Sequence, residues 1–254
     1  MQSTGVNALV TGGAKRIGRA IVRDLAANGF GVAIHCSRSR SDAEELAGEI
    51  TARGGSACVL QADLTDTSQA KALIDEAVSR LGRVQLVINN ASVFEDDSVE
   101  AFSEEIWDRH FAMHVKAPSI ITGRFANLLA PEREGLVVNM IDQRVWRPTP
   151  RFFSYTLSKS ALWTATHTAA QALGPRIRVN AIGPGPTLPN KRQDETDFRR
   201  QTENLPLRRG PELFEFGATI RYLWETPSIT GQMIALDGGQ HLAWETPDVV
   251  GVAE

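Results

Sequence analysis

The feature that most constrains this chain is an alternation along its length. Short, almost wholly apolar runs end in Gly, Asn or Asp, and a helix-length amphipathic segment follows each of them. Residues 6–10, 31–35, 57–61, 85–88, 135–139, 177–181 and 232–236 read as strands. Residues 17–28, 42–53, 68–81, 104–129, 154–173 and 211–224 read as the helices between and after them. A strand that is apolar along its whole length cannot face water on either side. The pattern therefore predicts an α/β fold, a doubly wound parallel sheet with helices on both faces. Ligands of such sheets bind in the crevice at the carboxyl ends of the strands. The 254 residues contain no repeat, linker or low-complexity tract, so residues 1–254 are expected to form a single domain.

Composition narrows the function classes. Hydrophobic residues make up 42% and charged residues 22%, as in ordinary globular proteins. A net charge of -3 gives no electrostatic reason to expect nucleic acid or an anionic membrane as partner. No apolar run approaches the ~18 residues of a spanning helix. Met1 leads into the first strand without a basic segment and long apolar run, so no signal peptide is expected. The two cysteines, Cys36 and Cys58, form no metal motif and are too few for a disulfide framework, which points to a reducing, cytoplasmic setting and to no metal site.

The first strand runs into Thr11-Gly12-Gly13-Ala14-Lys15-Arg16-Ile17-Gly18, which opens a helix. Glycines let the backbone approach a pyrophosphate closely, and the helix N-terminus offers free N–H groups and partial positive charge. An ordinary Gly-rich turn looks the same, so the loop needs company. The end of the second strand supplies it. A site for NAD usually places Asp or Glu there to hold the ribose 2′-hydroxyl. This chain reads His35-Cys36-Ser37-Arg38-Ser39 instead. Arg38 can fork onto a 2′-phosphate, Ser39 can add a hydroxyl, and Arg16 can face the same phosphate from the other side. The predicted cofactor is NADPH/NADP+. Asp63, before Leu64 at the end of the third strand, is either an acceptor for an adenine amino group or a turn Asp. Asn90-Ala91 ends the fourth strand with small and polar residues, against which a cofactor can lie.

Tyr155 and Lys159 stand four residues apart, on one face of a predicted helix. A phenol ionises near pH ~10, too high for easy proton exchange at neutrality. A neighbouring ammonium and an oxidised nicotinamide both favour phenolate, so Tyr155 can protonate a substrate while hydride arrives on the adjacent atom. Lys159 can also bind the nicotinamide ribose hydroxyls. Asp142 precedes the pair by 13 residues.

These motifs, with Arg178-Val179-Asn180, Pro184-Gly185 and Asp237-Gly238-Gly239, resemble the short-chain dehydrogenases/reductases over nearly the whole chain. The resemblance implies a Rossmann-type sheet of about seven strands, usually in a homotetramer, with Thr187 near the nicotinamide or pyrophosphate. The chain departs from the usual pattern at three positions. Arg16 replaces the middle Gly of the loop, Asp142 replaces a Ser, and His114 stands where an Asn usually supports the Lys through water. Lys15-Arg16, Arg38-Ser39, Asn90-Ala91-Ser92-Val93-Phe94 and Asp142 are similar to the pteridine reductase branch, and His114 and the segment 237–242 to its dihydromonapterin reductase type. That likeness implies that Phe94 stacks a pterin against the nicotinamide, that Ser92 touches its polar edge, and that Asp142, Tyr155, Lys159 and His114 form the catalytic set. An ionised Asp142 can only accept hydrogen bonds. It would oppose the negative charge that develops on a ketone oxygen but can accept from a pterin's ring N–H and amino groups. A carbonyl reductase, or a sensor that keeps the fold, are the alternatives.

The charged, Pro-flanked segment 188–210 is expected as a substrate lid, with a solvated helix as the alternative, and residues 245–254 as a tail. Trp146 and Arg147 either line the pocket or lie on the surface. Trp163 is expected to pack or to meet a neighbouring subunit rather than to act in catalysis.

Overall fold

The computed structural model describes residues 4–189 and 194–244. Seven parallel strands form one sheet in the order β3-β2-β1-β4-β5-β6-β7. They are β1 Asn7–Val10, β2 Gly31–Cys36, β3 Ala57–Gln61, β4 Val84–Asn89, β5 Gly135–Met140, β6 Ile177–Pro184 and β7 Met233–Leu236. The order reverses between β1 and β4, so the loops leaving these two strands part and open a crevice. Thr11 and Asn90 flank that crevice.

The helices α1 Arg16–Ala27, α2 Arg40–Ala52 and α8 Leu213–Glu225 cover one face of the sheet. The opposite face is covered by α3 Thr67–Leu81, α5 Ala117–Leu128 and α6 Phe153–Leu173. Strand residues divide between the two cores by alternation. Ala8, Val10, Leu86, Ile88, Leu136 and Val138 pack under Ile21, Leu25, Phe216 and Ile220. Leu9, Val87 and Val137 pack against Leu73, Ile74, Ile121 and Phe125 on the other face. Double burial is therefore the reason these strands are apolar throughout.

The polar residues inside the sheet layer fasten elements together. Asn89 donates to Asn139 at 2.8 Å and Asn139 to Thr166 at 2.9 Å, which ties β4 and β5 to α6. Arg178 donates to the carbonyls of Leu223, Trp224, Thr226 and Ile229 and so caps the C-terminal end of α8. Asn180 pairs with Ile229 and Gln232. The Arg178-Val179-Asn180 run is thus architectural.

The long helix expected over 104–129 is interrupted. The segment is α4 Glu104–Phe111, a π-helical turn at Ala112–Lys116, then α5. Such turns insert one residue and re-aim the side chains around them, and this one carries His114. Of the segment 188–210, residues 190–193 lie outside the described residues. The remainder includes α7 Glu195–Glu203, which has no buried residue. The tail at 245–254 also lies outside the described residues. Among the described residues no helix is long and apolar enough to cross a membrane, and no cluster of His, Cys, Asp or Glu is suited to a metal ion.

Candidate active site

Two clefts open on the carboxyl side of the sheet. The larger, about 770 Å³, is lined by Gly12, Lys15, His35, Arg38, Ser39, Asp63, Leu64, Ala91 and Ser92. Its floor depends on close backbone packing. A Cβ on Gly18 would lie 2.1 Å from the Gly12 carbonyl oxygen, and one on Gly12 would lie 3.0 Å from the Ala91 Cα. Asn90 holds the loop by donating from Nδ2 to the carbonyls of Thr11 (2.8 Å) and Gly12 (3.1 Å). The cleft therefore has what a dinucleotide needs: glycines where the backbone must come close, a helix N-terminus, and at its far end the Arg38 guanidinium without an acidic residue on the second strand.

Two expected cofactor residues, His35 and Arg16, direct their side chains to other partners. His35 is buried, and its ring is spent on the scaffold. Nδ1 accepts from the Gly12 N–H at 3.0 Å, and Nε2 lies 3.0 Å from the Ala62 carbonyl, to which it must donate. Burial lowers its pKa, consistent with a neutral ring. Arg16 does not face the Arg38 end of the cleft. With φ at 52°, it turns toward the second cleft, where its guanidinium donates to the carbonyls of Leu188 and Pro189. Lys15 lies on the Arg38 side in its place, paired with Asp42 at 3.1 Å. Asp63 is a turn residue that also borders the cleft. It lines the cleft while Oδ1 accepts from the N–H and hydroxyl of Thr65 in a turn, bonds that hold its pKa below the usual range.

The second cleft, about 480 Å³, is lined by Ile17, Phe94, Asp142, Arg144, Tyr155 and the Pro184-Gly185-Pro186-Thr187 run, among others. Gly185 is required here, because a Cβ would meet the Asp237 Cα at 2.6 Å. The Tyr155 hydroxyl donates to Asp142 Oδ2 at 2.9 Å, and the Arg144 backbone N–H donates to Oδ1 at 2.9 Å. Lys159 lies beneath the Tyr155 ring and donates to the Met140 carbonyl at 2.8 Å. Burial, then the Asp142 carboxylate, push the phenol well above its ordinary value. Burial also raises Asp142, against the pull of Arg144, Tyr155 and Lys159. The same burial brings Lys159 down to about 8.

His114 lies behind Tyr155, with ring centroids 5.4 Å apart and planes nearly perpendicular. Its Nε2 accepts from the Val93 N–H at 3.2 Å and lies 2.9 Å from the Ser92 hydroxyl. Nδ1 must then carry the hydrogen, and it donates to Ser158 at 2.8 Å. Burial, Lys159 and His110 hold the imidazole well below its ordinary pKa. The Ser92 hydroxyl expected at the substrate edge is thus turned onto His114. Phe94 lines the second cleft, but one of its faces is already stacked on Phe152, centroids 4.2 Å apart. A flat ring that stacks on that face must displace Phe152.

Three residues with no sequence signal complete the site. Phe152 adopts left-handed backbone (φ 58°, ψ 55°) immediately before α6, a conformation that costs a bulky residue roughly 1–2 kcal/mol. Asp97, buried on the loop after β4, accepts from the backbone N–H of Ser154 at 3.0 Å and from its hydroxyl. It thereby satisfies the start of the helix that carries Tyr155 and Lys159. Arg144 lays its guanidinium over the rings of Phe152 and Phe94, 5.1 and 5.7 Å from their centroids. Thr187, Phe198 and Gln201 also face the second cleft. Trp146 packs edge-on against His241, Arg147 donates to the Gln240 carbonyl, and neither lines that cleft. Trp163 packs on His167, as expected of a packing residue.

Residues 6–200 match the short chain dehydrogenase family, and the chain belongs to it. Within that family it is similar to several characterised proteins. The crystal structure of FolM alternative dihydrofolate reductase 1 from Brucella canis, complexed with NADP, is 60% identical with a TM-score of 0.94, covering 96% of this chain and 97% of that one. The blue fluorescent protein from a metagenomic library, in complex with NADPH, is 29% identical with a TM-score of 0.86, covering 92% and 97%. The 3-oxoacyl-[acyl-carrier-protein] reductase FabG of Staphylococcus epidermidis is 30% identical over 243 residues, 93% of this chain and 99% of its own.

Proposed function

We propose that this protein is an NADPH-dependent reductase of a pterin-like heterocycle, of the dihydromonapterin or dihydrobiopterin kind. The observation that carries the reading is the Tyr155–Asp142 hydrogen bond in a cleft walled by Phe94 and Phe152. The cofactor assignment draws support from the Gly-rich floor, the Arg38 end of the first cleft, and the relatives crystallised with NADP or NADPH. When bound, the cofactor supplies a hydride to the carbon of a C=N bond and leaves oxidised.

Tyr155 gives its proton to the nitrogen of that bond, so the substrate gains one hydride and one proton. Lys159 is the buried cation below the phenol and binds the ribose hydroxyls. Asp142 accepts from ring N–H and amino groups, which a ketone does not offer, and orients Tyr155 as donor. His114, on its π-helical turn, fixes the strand-end segment that carries Ser92 and Phe94. A carbonyl substrate is the second reading, and the 30% identity to a 3-oxoacyl reductase favours it. The active form is proposed to be a homotetramer.

The experiment is NADPH oxidation with dihydromonapterin or dihydrobiopterin, for wild type and Tyr155→Phe. Turnover that falls by about 10²–10⁴-fold in the variant supports both substrate class and proton donor. Absence of turnover on any pterin, with ketone reduction intact, rejects the first reading in favour of the second.

A further inference from the structure

We infer that Arg144 is a positioning residue of this site, a guanidinium held near the far oxygen of Asp142, at 4.0 Å from Nε, that lets a carboxylate stand beside Tyr155 without disabling it. The inference rests on the proposed pairing of Asp142 and Tyr155 in proton transfer.

The difficulty that Arg144 resolves is electrostatic. A carboxylate 2.9 Å from a phenol stabilises the protonated phenol, because the phenolate left by proton transfer would face a like charge. A site that places Asp here needs a cation held close to the carboxylate and away from the reacting proton. Charged and titratable groups reach the pair from several elements. Arg16 from α1, Asp96 from the loop after β4 and Arg151 from the segment before α6 line the same cleft. From α6 comes Lys159, whose ammonium is bonded to the Met140 carbonyl. From α4 comes His110 and from the π-helical turn after it His114, both edge-to-face with the Tyr155 ring. From the loop after β4 comes Asp97, whose carboxylate is occupied by Ser154. Arg144 comes from the short 3₁₀ turn Gln143–Val145, immediately after Asp142.

The two oxygens of Asp142 are divided. Oδ2 accepts from Tyr155, while Oδ1 accepts from the backbone N–H of Arg144 and lies 4.0 Å from its Nε. The guanidinium does not float. It lies over Phe152 and Phe94, touches Thr149 Oγ1 at 3.3 Å, and is 22% exposed. A flat, delocalised cation suits such a stack, and a lysine would not reproduce it. The left-handed backbone of Phe152 has a role in this arrangement, since it delivers the ring on which the guanidinium rests. Burial raises both Asp142 and Tyr155, and the Arg144 charge opposes part of that rise in each.

The test is a double-mutant cycle with two readouts. Arg144→Met keeps volume and contact with the rings, Arg144→Lys keeps charge without the flat stack, and Asp142→Asn keeps shape without charge. The first readout, thermal stability, needs no substrate. Arg144→Met is expected to lower Tm by about 4 °C or more in the wild-type background and by less than half as much beside Asp142→Asn. Equal losses in the two backgrounds would make Arg144 a packing residue and overturn the inference. The second readout is the pH profile of dihydropterin turnover. Arg144→Met is expected to cut kcat roughly tenfold or more with NADPH KM little changed, and to move the acid limb to higher pH. Arg144→Lys should recover the limb in part. An unmoved limb overturns the inference as well. If wild type turns over no pterin, the proposed substrate class fails, and the thermal cycle still decides the place of Arg144.

Discussion

Tyr155 donates to Asp142 Oδ2 across 2.9 Å, so the proton this site must deliver is held, at rest, by an acceptor rather than shared with a second donor. The arrangement favours substrates that bring their own N–H groups and penalises those on which oxyanion charge develops. Asp142→Ser is expected to lower dihydropterin kcat/KM by about 10–100-fold and to raise ketone reduction from its wild-type level. The ratio of the two rates, measured in one preparation, decides the matter. A ratio that does not change would show that residue 142 does not select the substrate.

Cofactor choice is assigned to a single guanidinium at the far end of the first cleft. Arg38 lines that cleft together with Asp63, whose carboxylate is occupied by Thr65. Arg38→Asp should weaken NADPH kcat/KM by about 10–100-fold, the worth of one charge-assisted contact, and improve NADH use in the same protein. Arg16→Ala should leave the NADPH/NADH ratio nearly unchanged, because that guanidinium reaches Leu188 and Pro189 instead. Nicotinamide kinetics with both cofactors check the pair. Equal effects of the two substitutions would put Arg16 at the phosphate after all.

Much of this was legible beforehand, for a physical reason. Strands buried on both faces are apolar at most positions, so the central strands are visible as runs, and the glycines at 12, 18 and 185 are visible because only glycine fits the close approaches found there. What stayed hidden depends on contacts between distant segments. The Asp97–Ser154 cap joins residues 57 positions apart, and the Phe152–Phe94 stack likewise crosses the site. Arg16 is expected at the cofactor phosphate and turns to Leu188 and Pro189 instead, since side-chain direction follows from backbone φ and hydrogen-bond partners rather than from order. The π-helical turn at His114 left no periodic signature, because one inserted residue barely disturbs an amphipathic pattern.

Gly18 offers a test of the cradle that is independent of chemistry. Gly18→Ala must push a Cβ against the Gly12 carbonyl oxygen and Asn90 Nδ2, which would lie 2.1 and 2.7 Å away. The first belongs to the loop at the cleft floor and the second is the side chain that holds that loop, so the strain moves the cofactor floor. A loss of about 1–3 kcal/mol of stability and a clear fall in NADPH affinity are expected. Gly48→Ala, in α2 with nothing near the added carbon, should instead add up to ~1 kcal/mol. Melting curves and cofactor fluorescence on both proteins separate a cradle effect from a general effect of added methyl groups.

Lys159 carries a pH signature whose sign is fixed by its burial. Desolvation brings its pKa from the ordinary 10.5 to about 8, with the Asp142 carboxylate opposing part of the shift. The native protein therefore releases this proton before the unfolded chain does. A depressed value of this kind contributes stability that is fully present above the unfolded pKa and is lost as pH falls through the folded one. Wild type should thus gain on Lys159→Met as pH rises from about 8 toward 10.5, and the difference should be flat below that window. Turnover should move the opposite way. The ammonium favours phenolate formation at Tyr155, so kcat is expected to decline as pH rises through about 8 in the enzyme. Lys159→Arg stays charged and should push that decline to higher pH, even at reduced kcat. Paired melting and rate profiles are the measurement. A wild-type stability difference that falls across the window would mean that Lys159 is stabilised as a cation, and that the buried ammonium costs the fold nothing.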